Sequence, residues 1–168
     1  KLTKQRKFLF RTAASFISSI SEKKSVSQAE TFFSNLRIKD KDKIFLPGLI
    51  IVGSYVELST TQLKNLLKIS KCNPIELDVF EFFKITSSKN YQNRRNLFKN
   101  KFLKEIRFSF ERGKTPVLFT SRKFMSLDYA EQFHFYNSLA SFIAELVADL
   151  KYEIGYLISK GGITTNMI

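Results

Sequence analysis

The sequence predicts an α/β fold, in which a mostly parallel sheet carries helices on both faces in a Rossmann-like arrangement. Two observations predict this fold. From residue 44 onward, short apolar runs typical of strands alternate with longer segments whose apolar residues recur at helical spacing. The turns between them are short, and such strand–helix–strand repetition favours right-handed crossovers and parallel strands. Hydrophobic residues form 43% of the 168 residues, enough for a buried core.

The first predicted strand is Gly48–Gly53, a continuous apolar run between glycines. Such a run is typical of a central parallel strand that is buried on both faces. Thr60 and Thr61 are predicted to cap the helix that follows. The apolar side of this helix consists of Leu63, Leu66, Leu67 and Ile69. The segment Pro74–Phe80 alternates with a period of two and predicts the second strand.

The second half of the chain predicts two long helices and two further strands. Arg94–Arg112 predicts a helix that ends at Gly113. Pro116–Thr120 predicts a strand, Phe133–Leu150 the next helix, and the apolar residues from Tyr156 onward a last, buried strand. The predicted core positions of the two helices are Phe98, Phe102, Ile106, Phe110, Leu139, Ile143, Leu146, Val147 and Leu150.

The last strand is followed by a glycine turn. The apolar run ends at Gly161 and Gly162, and Thr164 and Thr165 then stand as the N-caps of a helix. A strand that turns on glycines into a helix exposes unpaired backbone N–H groups and the positive end of the helix dipole. Both favour an anion, so this turn predicts a site for a nucleotide phosphate.

Polar residues also follow two other strands. The three strand ends are Gly53-Ser54, Thr120-Ser121-Arg122 and Lys160-Gly161-Gly162. Ligands of parallel sheets bind beyond the carboxyl ends of the strands, where hydroxyls and an arginine suit phosphate or ribose. Ordinary strand-to-helix turns also contain Gly, Ser and Thr for backbone reasons, so each turn alone leaves both interpretations open.

Several functional classes lack support. The sequence contains neither a P-loop nor a Gly-x-Gly-x-x-Gly fingerprint. A single histidine, His134, and a single cysteine, Cys72, exclude a typical zinc site and disfavour a Ser-His-Asp triad. The lone cysteine, with no signal peptide and no bilayer-length apolar run, predicts a cytoplasmic protein without a membrane partner.

The net charge of +13 leaves a second function open. A helix with a basic face could make the chain a nucleic-acid-binding α/β module. The residues of this face, which we call the Arg94–Arg107 face, are Arg94, Arg95, Lys99, Lys101, Lys104 and Arg107. The basic residues are spread along the chain and form no clear stripe, which favours solvated surfaces over nucleic-acid binding.

Four segments carry a resemblance to a known family. They are Phe8–Phe16, Gly48–Gln62, Pro116–Arg122 and Ile158–Thr164. In this order they resemble the four-carbon acid sugar kinases of the threonate and 3-oxo-tetronate type, over nearly the whole chain. The resemblance implies an ATP-dependent kinase that phosphorylates the terminal hydroxyl of a small acid sugar, with Mg²⁺ bridging the ATP phosphates.

The resemblance also implies a domain division. Residues 1–20 would be the tail of the N-terminal acid-sugar-binding domain, 21–43 a linker and 44–168 the nucleotide-binding domain. We therefore expect the fold to be incomplete at both ends and the segment alone to be inactive and to bind ATP poorly. Whether the protein forms a homo-oligomer stays open.

Individual residues are assigned roles only through this resemblance. Ser54 matches the family's serine at the ATP site, and Gly161, Gly162, Ile163 and Thr164 match its ATP-binding glycine turn. Ile163 stands where many relatives carry a polar residue, so main-chain contacts are expected there rather than a side-chain contact. Arg11 would contact the acid sugar or the domain interface. No catalytic base is identified.

Overall fold

A parallel sheet lies at the centre of the fold, as predicted. The computed structural model of the protein describes residues 36–122 and 128–168. Its strands are β1 (Gly48–Val52), β2 (Cys72–Leu77), β3 (Thr115–Thr120) and β4 (Tyr156–Lys160). They pair in the order β2-β3-β1-β4, and every pairing is parallel. All five residues of β1 are buried, because this strand lies inside the sheet and has helices on both sides.

Helices cover both faces of this sheet. They are α1 (Glu57–Leu66), α2 (Val79–Thr86), α3 (Tyr91–Glu111), α4 (Tyr129–Leu150) and α5 (Gly162–Met167). On one face Leu63 of α1 packs with Ile50, Val52 and Val117. On the other face, the larger core combines Leu49 and Ile51 of β1 with the apolar sides of α2, α3 and α4. Alternate residues of one strand thus enter two different cores.

The crossovers explain this distribution of helices. The chain leaves β1 toward the β2 edge through α1 on one face, and it leaves β3 toward the β4 edge through α4 on the opposite face. The two crossovers run in opposite directions along the sheet and cover opposite faces. This is the arrangement that two crossovers of the same handedness must have. The chain therefore diverges between the carboxyl ends of β1 and β3, which are neighbours in the sheet. A crevice is expected at such a point.

Several predicted element boundaries were wrong. Helix α1 begins at Glu57, so Thr60 and Thr61 lie inside it and the cap position is Val56, which makes no side-chain cap. The Thr60 hydroxyl donates to the Val56 carbonyl instead, the bond that an interior threonine makes. Ile69 lies beyond the helix and is 53% exposed, so it does not belong to the apolar side.

The second strand is shorter than predicted, and a helix follows it directly. Strand β2 ends at Leu77, and the Asp78 carboxylate then accepts hydrogen bonds from the N–H groups of Phe80 and Glu81. This cap starts α2, a helix of eight residues that the alternating pattern concealed. Pro74 is tolerated because β2 is an edge strand of the described sheet.

Strand β4 is not buried as its apolar run suggests. It is the other edge strand, its residues are only partly buried, and Ile158 is 52% exposed. The long helices agree better with prediction. Their predicted core positions are buried except Phe110, which is partly buried, and Gly113 follows α3 with a φ of 64°. In the described ranges, no helix combines the length and apolarity that a membrane crossing requires.

Some predictions lie outside the described residues. These are the domain tail 1–20 with Arg11, and the first part of the linker, 21–35. Residues 36–43, the rest of the predicted linker, include a turn in which the Asp40 carboxylate accepts from the N–H groups of Asp42 and Ile44. The Ile38 N–H donates to the carbonyl of Gly155, just before β4. This segment is therefore tied to the sheet.

Half of the Arg94–Arg107 face is occupied by ion pairs with α4 and the turn that follows it. Arg95 binds Glu145 through both terminal nitrogens, at 2.6 and 2.7 Å. Lys99 pairs with Asp149 at 2.9 Å, and Arg107 with Glu153 at 2.7 Å. This ladder joins the two long helices. Three of the six basic side chains therefore already have carboxylate partners, which argues against a continuous phosphate-binding surface.

The Arg95–Glu145 pair predicts a pH dependence of stability. The hydrogen bond from Arg95 lowers the pKa of Glu145, with a smaller contribution from the arginine charge, and burial opposes both. A carboxyl group with a depressed pKa in the folded state stabilises the fold above its unfolded pKa of about 4.3. That stabilisation is lost as the pH falls through the folded pKa.

Replacing Glu145 by glutamine is therefore expected to lower the free energy of unfolding by about 1 kcal/mol at pH 7, since the pair is only partly buried. At a pH below both pKa values the variant and the wild type should be equally stable. Urea denaturation at pH 7 and at a series of lower pH values measures this difference. A gap between the two proteins that does not narrow as the pH falls would contradict the assignment.

Candidate functional site

A cleft lies at the point where the chain diverges, beyond the carboxyl ends of β1, β3 and β4. Its volume is about 210 Å³. Strand ends and turns supply Gly53, Ser54, Tyr55, Val56, Thr120, Gly161, Gly162, Ile163 and Thr164, and α4 supplies Tyr136, Leu139, Ala140 and Ile143. The structure thus brings to one place the five residues that the resemblance assigns to an ATP site, Ser54 and Gly161–Thr164. Whether they bind a ligand stays a prediction.

Ser54 is held on three sides by neighbouring elements. Its backbone N–H donates to the Lys160 carbonyl at 3.3 Å, at the end of β4. Its carbonyl accepts a hydrogen bond from Arg122, after the end of β3. Its side-chain oxygen accepts from the Ser59 hydroxyl at 3.0 Å, from within α1. Three hydrogen bonds therefore fix both the backbone and the side chain of this residue.

Two glycines allow the strand ends to approach each other closely. A Cβ on Gly53 would lie 2.1 Å from the Thr164 hydroxyl oxygen, and one on Gly161 would lie 2.9 Å from the Ser54 nitrogen. Gly161 also has a φ of 123°, which side chains rarely adopt. A Cβ on Gly162 would meet nothing within 4 Å. Gly53 and Gly161 are thus required for packing, whereas Gly162 lines the cleft and has open space where a Cβ would be.

The predicted helix caps were wrong. Helix α5 begins at Gly162 with Gly161 in the cap position, and its first hydrogen bond runs from the Thr165 N–H to the Gly161 carbonyl. Thr164 is buried against Gly53, and the Thr165 hydroxyl accepts from Ser159. The N–H groups of residues 162–164 precede the first helical bond and have no acceptor within the helix.

The opposite wall of the cleft is apolar and comes from α4. Leu139, Ala140 and Ile143 line it, and Tyr136 stacks on Tyr55 with ring centroids 5.7 Å apart. Burial raises the pKa of the Tyr136 hydroxyl, and the neighbouring Tyr55 adds to this effect, so Tyr136 stays neutral. Sequence reasoning placed Leu139 and Ile143 only in the core and missed both tyrosines as cleft residues.

The three polar residues at the end of β3 make different contacts. Thr120 lines the cleft, whereas the Ser121 hydroxyl accepts from the Val79 N–H and stabilises the start of α2. Arg122, the expected phosphate partner, binds the Ser54 carbonyl, and burial lowers the pKa of its guanidinium group. Its Nε and Nη2 are buried without a hydrogen-bond partner among the described residues. Arg122 thus contacts the backbone of the site rather than lining the cleft.

The remaining candidates lie elsewhere. His134 borders a separate depression beside Phe83 and Phe135, and Cys72 is the first residue of β2. Burial raises the pKa of the Cys72 thiol, which keeps it protonated and unreactive. The described residues form no group of three or more His, Cys, Asp or Glu side chains that could hold a metal ion.

Comparison with known proteins gives one match. A family model described as a nucleotide-binding C-terminal domain matches residues 49–168, which is more than half of the chain. No curated protein and no solved structure matches the chain. The matched range begins within β1 and includes all three strand ends that form the cleft.

Proposed function

The chain belongs to the family of nucleotide-binding C-terminal domains, and from this membership we propose that its cleft binds ATP for a kinase of four-carbon acid sugars. The single observation that carries the ATP site is the meeting of Gly53-Ser54 with Gly161–Thr164 in one cleft of a nucleotide-binding fold. The reaction rests on the resemblance of four segments to kinases of threonate and 3-oxo-tetronate type. This segment would supply mainly the nucleotide-binding part.

The two ends of the cleft suit the two ends of a nucleotide. The glycine turn and the Ser54 hydroxyl offer hydrogen-bond donors for phosphate oxygens. The apolar wall of Tyr136, Leu139 and Ala140 suits the flat, largely apolar surface of adenine. The cleft of about 210 Å³ is smaller than the roughly 300–1,000 Å³ of typical ligand pockets. A nucleotide would be enclosed only in part, which agrees with the weak ATP binding we expect.

Magnesium would depend mainly on the nucleotide. Mg²⁺ usually retains several waters and is bound through phosphate oxygens with one or two carboxylates. The described residues that line this cleft include no carboxylate, so the protein would hold the phosphates and the phosphates would hold the ion. When bound, the ion would neutralise phosphate charge. The protein's own contribution is orientation: Ser54 and the Gly161–Thr164 turn fix the phosphate end of the ligand.

The substrate half of the proposal rests on residues outside the described ranges. Arg11 is proposed to contact the acid sugar or the domain interface, because it belongs to the segment Phe8–Phe16 that resembles the family. An arginine suits this role, since its guanidinium group can bind a carboxylate through two parallel hydrogen bonds. Residues 1–20 are accordingly proposed as the tail of an acid-sugar-binding domain, joined by the linker 21–43.

Nuclear magnetic resonance can test ATP binding even at millimolar affinity. In a titration of the isotope-labelled 168-residue chain with ATP and Mg²⁺, we expect amide shifts to change at Gly53, Ser54 and 161–164. The amides of the Arg94–Arg107 face should not shift. Replacing Ser54 by alanine should weaken binding roughly tenfold, since it removes a hydrogen bond to a charged group. Ser87→Ala, at an exposed residue after α2, is the matched control. Shifts confined to the basic face would contradict the proposal.

A further inference from the structure

Ser59 lies behind Ser54, out of reach of any ligand in the cleft. It is 2% exposed, lies in the first turns of α1, and donates its hydroxyl hydrogen to the Ser54 oxygen at 3.0 Å. Serine inside a helix commonly bonds to the carbonyl four residues earlier. The adjacent Thr60 does so, at 3.2 Å from the Val56 carbonyl oxygen. Ser59 stands one position earlier, where the residue four back is Tyr55, outside the helix, and its hydroxyl bonds to a residue of the cleft instead.

We propose that Ser59 is a positioning residue that turns the Ser54 hydroxyl into an oriented donor for a nucleotide phosphate. This inference rests on the proposed function. A serine hydroxyl carries one hydrogen and two lone pairs. Among the described residues the buried Ser59 hydroxyl has no acceptor other than the Ser54 oxygen, so Ser59 donates to one lone pair of Ser54 and the Ser54 hydrogen points away from Ser59. Ser54 lines the cleft, so that hydrogen is available to an acceptor within it.

The backbone of Ser54 is held in place by hydrogen bonds. Its N–H is bound to the Lys160 carbonyl, and its carbonyl is bound to Arg122. The side chain therefore extends from a fixed backbone, and Ser59 sets the remaining rotation of its hydroxyl. A donor oriented before the ligand arrives loses less entropy on binding than a freely rotating one. A phosphate oxygen, which only accepts hydrogen bonds, is the chemistry that such a donor recognises.

A double-mutant cycle tests this role. Ser59→Ala should weaken the binding of ATP with Mg²⁺ about three- to tenfold, because Ser54 then loses its orienting partner. Ser59→Thr, which keeps the hydroxyl, should restore binding to within about twofold. In a chain that already carries Ser54→Ala, adding Ser59→Ala should cause no further loss. A residue that merely stabilised the fold would weaken binding equally in both backgrounds.

The chain offers a matched control for burial. Ser109 is 1% exposed in α3 and donates to the Glu105 carbonyl, far from the cleft. Ser109→Ala should leave ATP affinity unchanged. Suppose that the wild-type chain binds ATP but Ser59→Ala leaves the affinity unchanged, or that Ser59→Ala weakens binding equally in the Ser54→Ala chain. The inference about Ser59 then fails, while the proposed function stands. If the wild-type chain shows no ATP binding, both are overturned.

Discussion

Replacing Phe142 by alanine is expected to lower the free energy of unfolding by about 3–5 kcal/mol, the range for truncating a buried phenylalanine. Phe142 is fully buried at the middle of α4. Its ring lies 5.0 Å from that of Phe82 in α2 and 5.6 Å from that of Phe98 in α3, and the Arg95 guanidinium stacks over it at 5.3 Å. One side chain thus joins three helices, and its removal leaves a cavity that none of them can fill alone.

Urea denaturation followed by circular dichroism measures this loss. Phe133→Ala is the matched control, because Phe133 lies on the same helix and is 58% exposed. We expect the control to change stability by no more than about 0.5 kcal/mol. The total stability of a domain is about 5–15 kcal/mol, so the loss in Phe142→Ala can leave too little folded protein to measure. Phe142→Leu then serves as a milder variant, and an unchanged stability in it would contradict the central role of this ring.

The sequence predicted the parts of the fold that depend on periodicity. The buried strand β1 and the helices α3 and α4 follow from apolar spacing alone, because each has a long or continuous pattern. Helix α2 escaped prediction because its eight residues follow β2 without a glycine or a loop, and Phe80 continues the apparent alternation of the strand. Only the Asp78 side chain, which caps α2, marked the boundary.

The site was predictable only at the level of topology. Parallel strands bring their carboxyl ends to one edge, so the sequence was enough to expect Ser54 near the glycine turn. It could not show that Tyr136 of α4 reaches the same cleft, because that contact depends on how the helix packs across the sheet. Nor could it show which hydroxyls face the cleft: Ser121 and Ser59 are both buried behind the strand ends.

The pattern of basic residues also predicts less than the structure shows. The spacing of Arg95, Lys99 and Arg107 predicts a basic face but gives no information about its neighbours. The structure places Glu145, Asp149 and Glu153 opposite these three residues, so the charges neutralise one another within the protein. The remaining members of the face are Arg94, Lys101 and Lys104, and Lys101 lies 3.9 Å from Glu81. A charge run in a sequence therefore predicts a binding surface only when no facing helix supplies partners.

Gly162→Asp is expected to reduce the affinity for ATP with Mg²⁺ by roughly 100-fold or more, because like charges brought together cost several kcal/mol. Gly162 lines the cleft, and a Cβ there would meet no atom within 4 Å, so a side chain at its edge has room. The new carboxylate would occupy the space proposed for phosphate oxygens and repel them. At the first position of α5 an acidic residue is favourable for the helix, so stability should stay within about 0.5 kcal/mol of wild type.

The contrast between Gly162 and its neighbour Gly161 makes this test specific. Gly161→Ala should destabilise the fold, because its φ is 123° and its Cβ would lie 2.9 Å from the Ser54 nitrogen. Gly162→Asp should instead separate binding from stability. Asn100→Asp, on the exposed side of α3, adds the same charge away from the cleft and should leave affinity unchanged. If Gly162→Asp bound ATP as well as Asn100→Asp does, the proposed phosphate site would be contradicted, because a phosphate bound by the backbone of this turn would lie beside the new carboxylate.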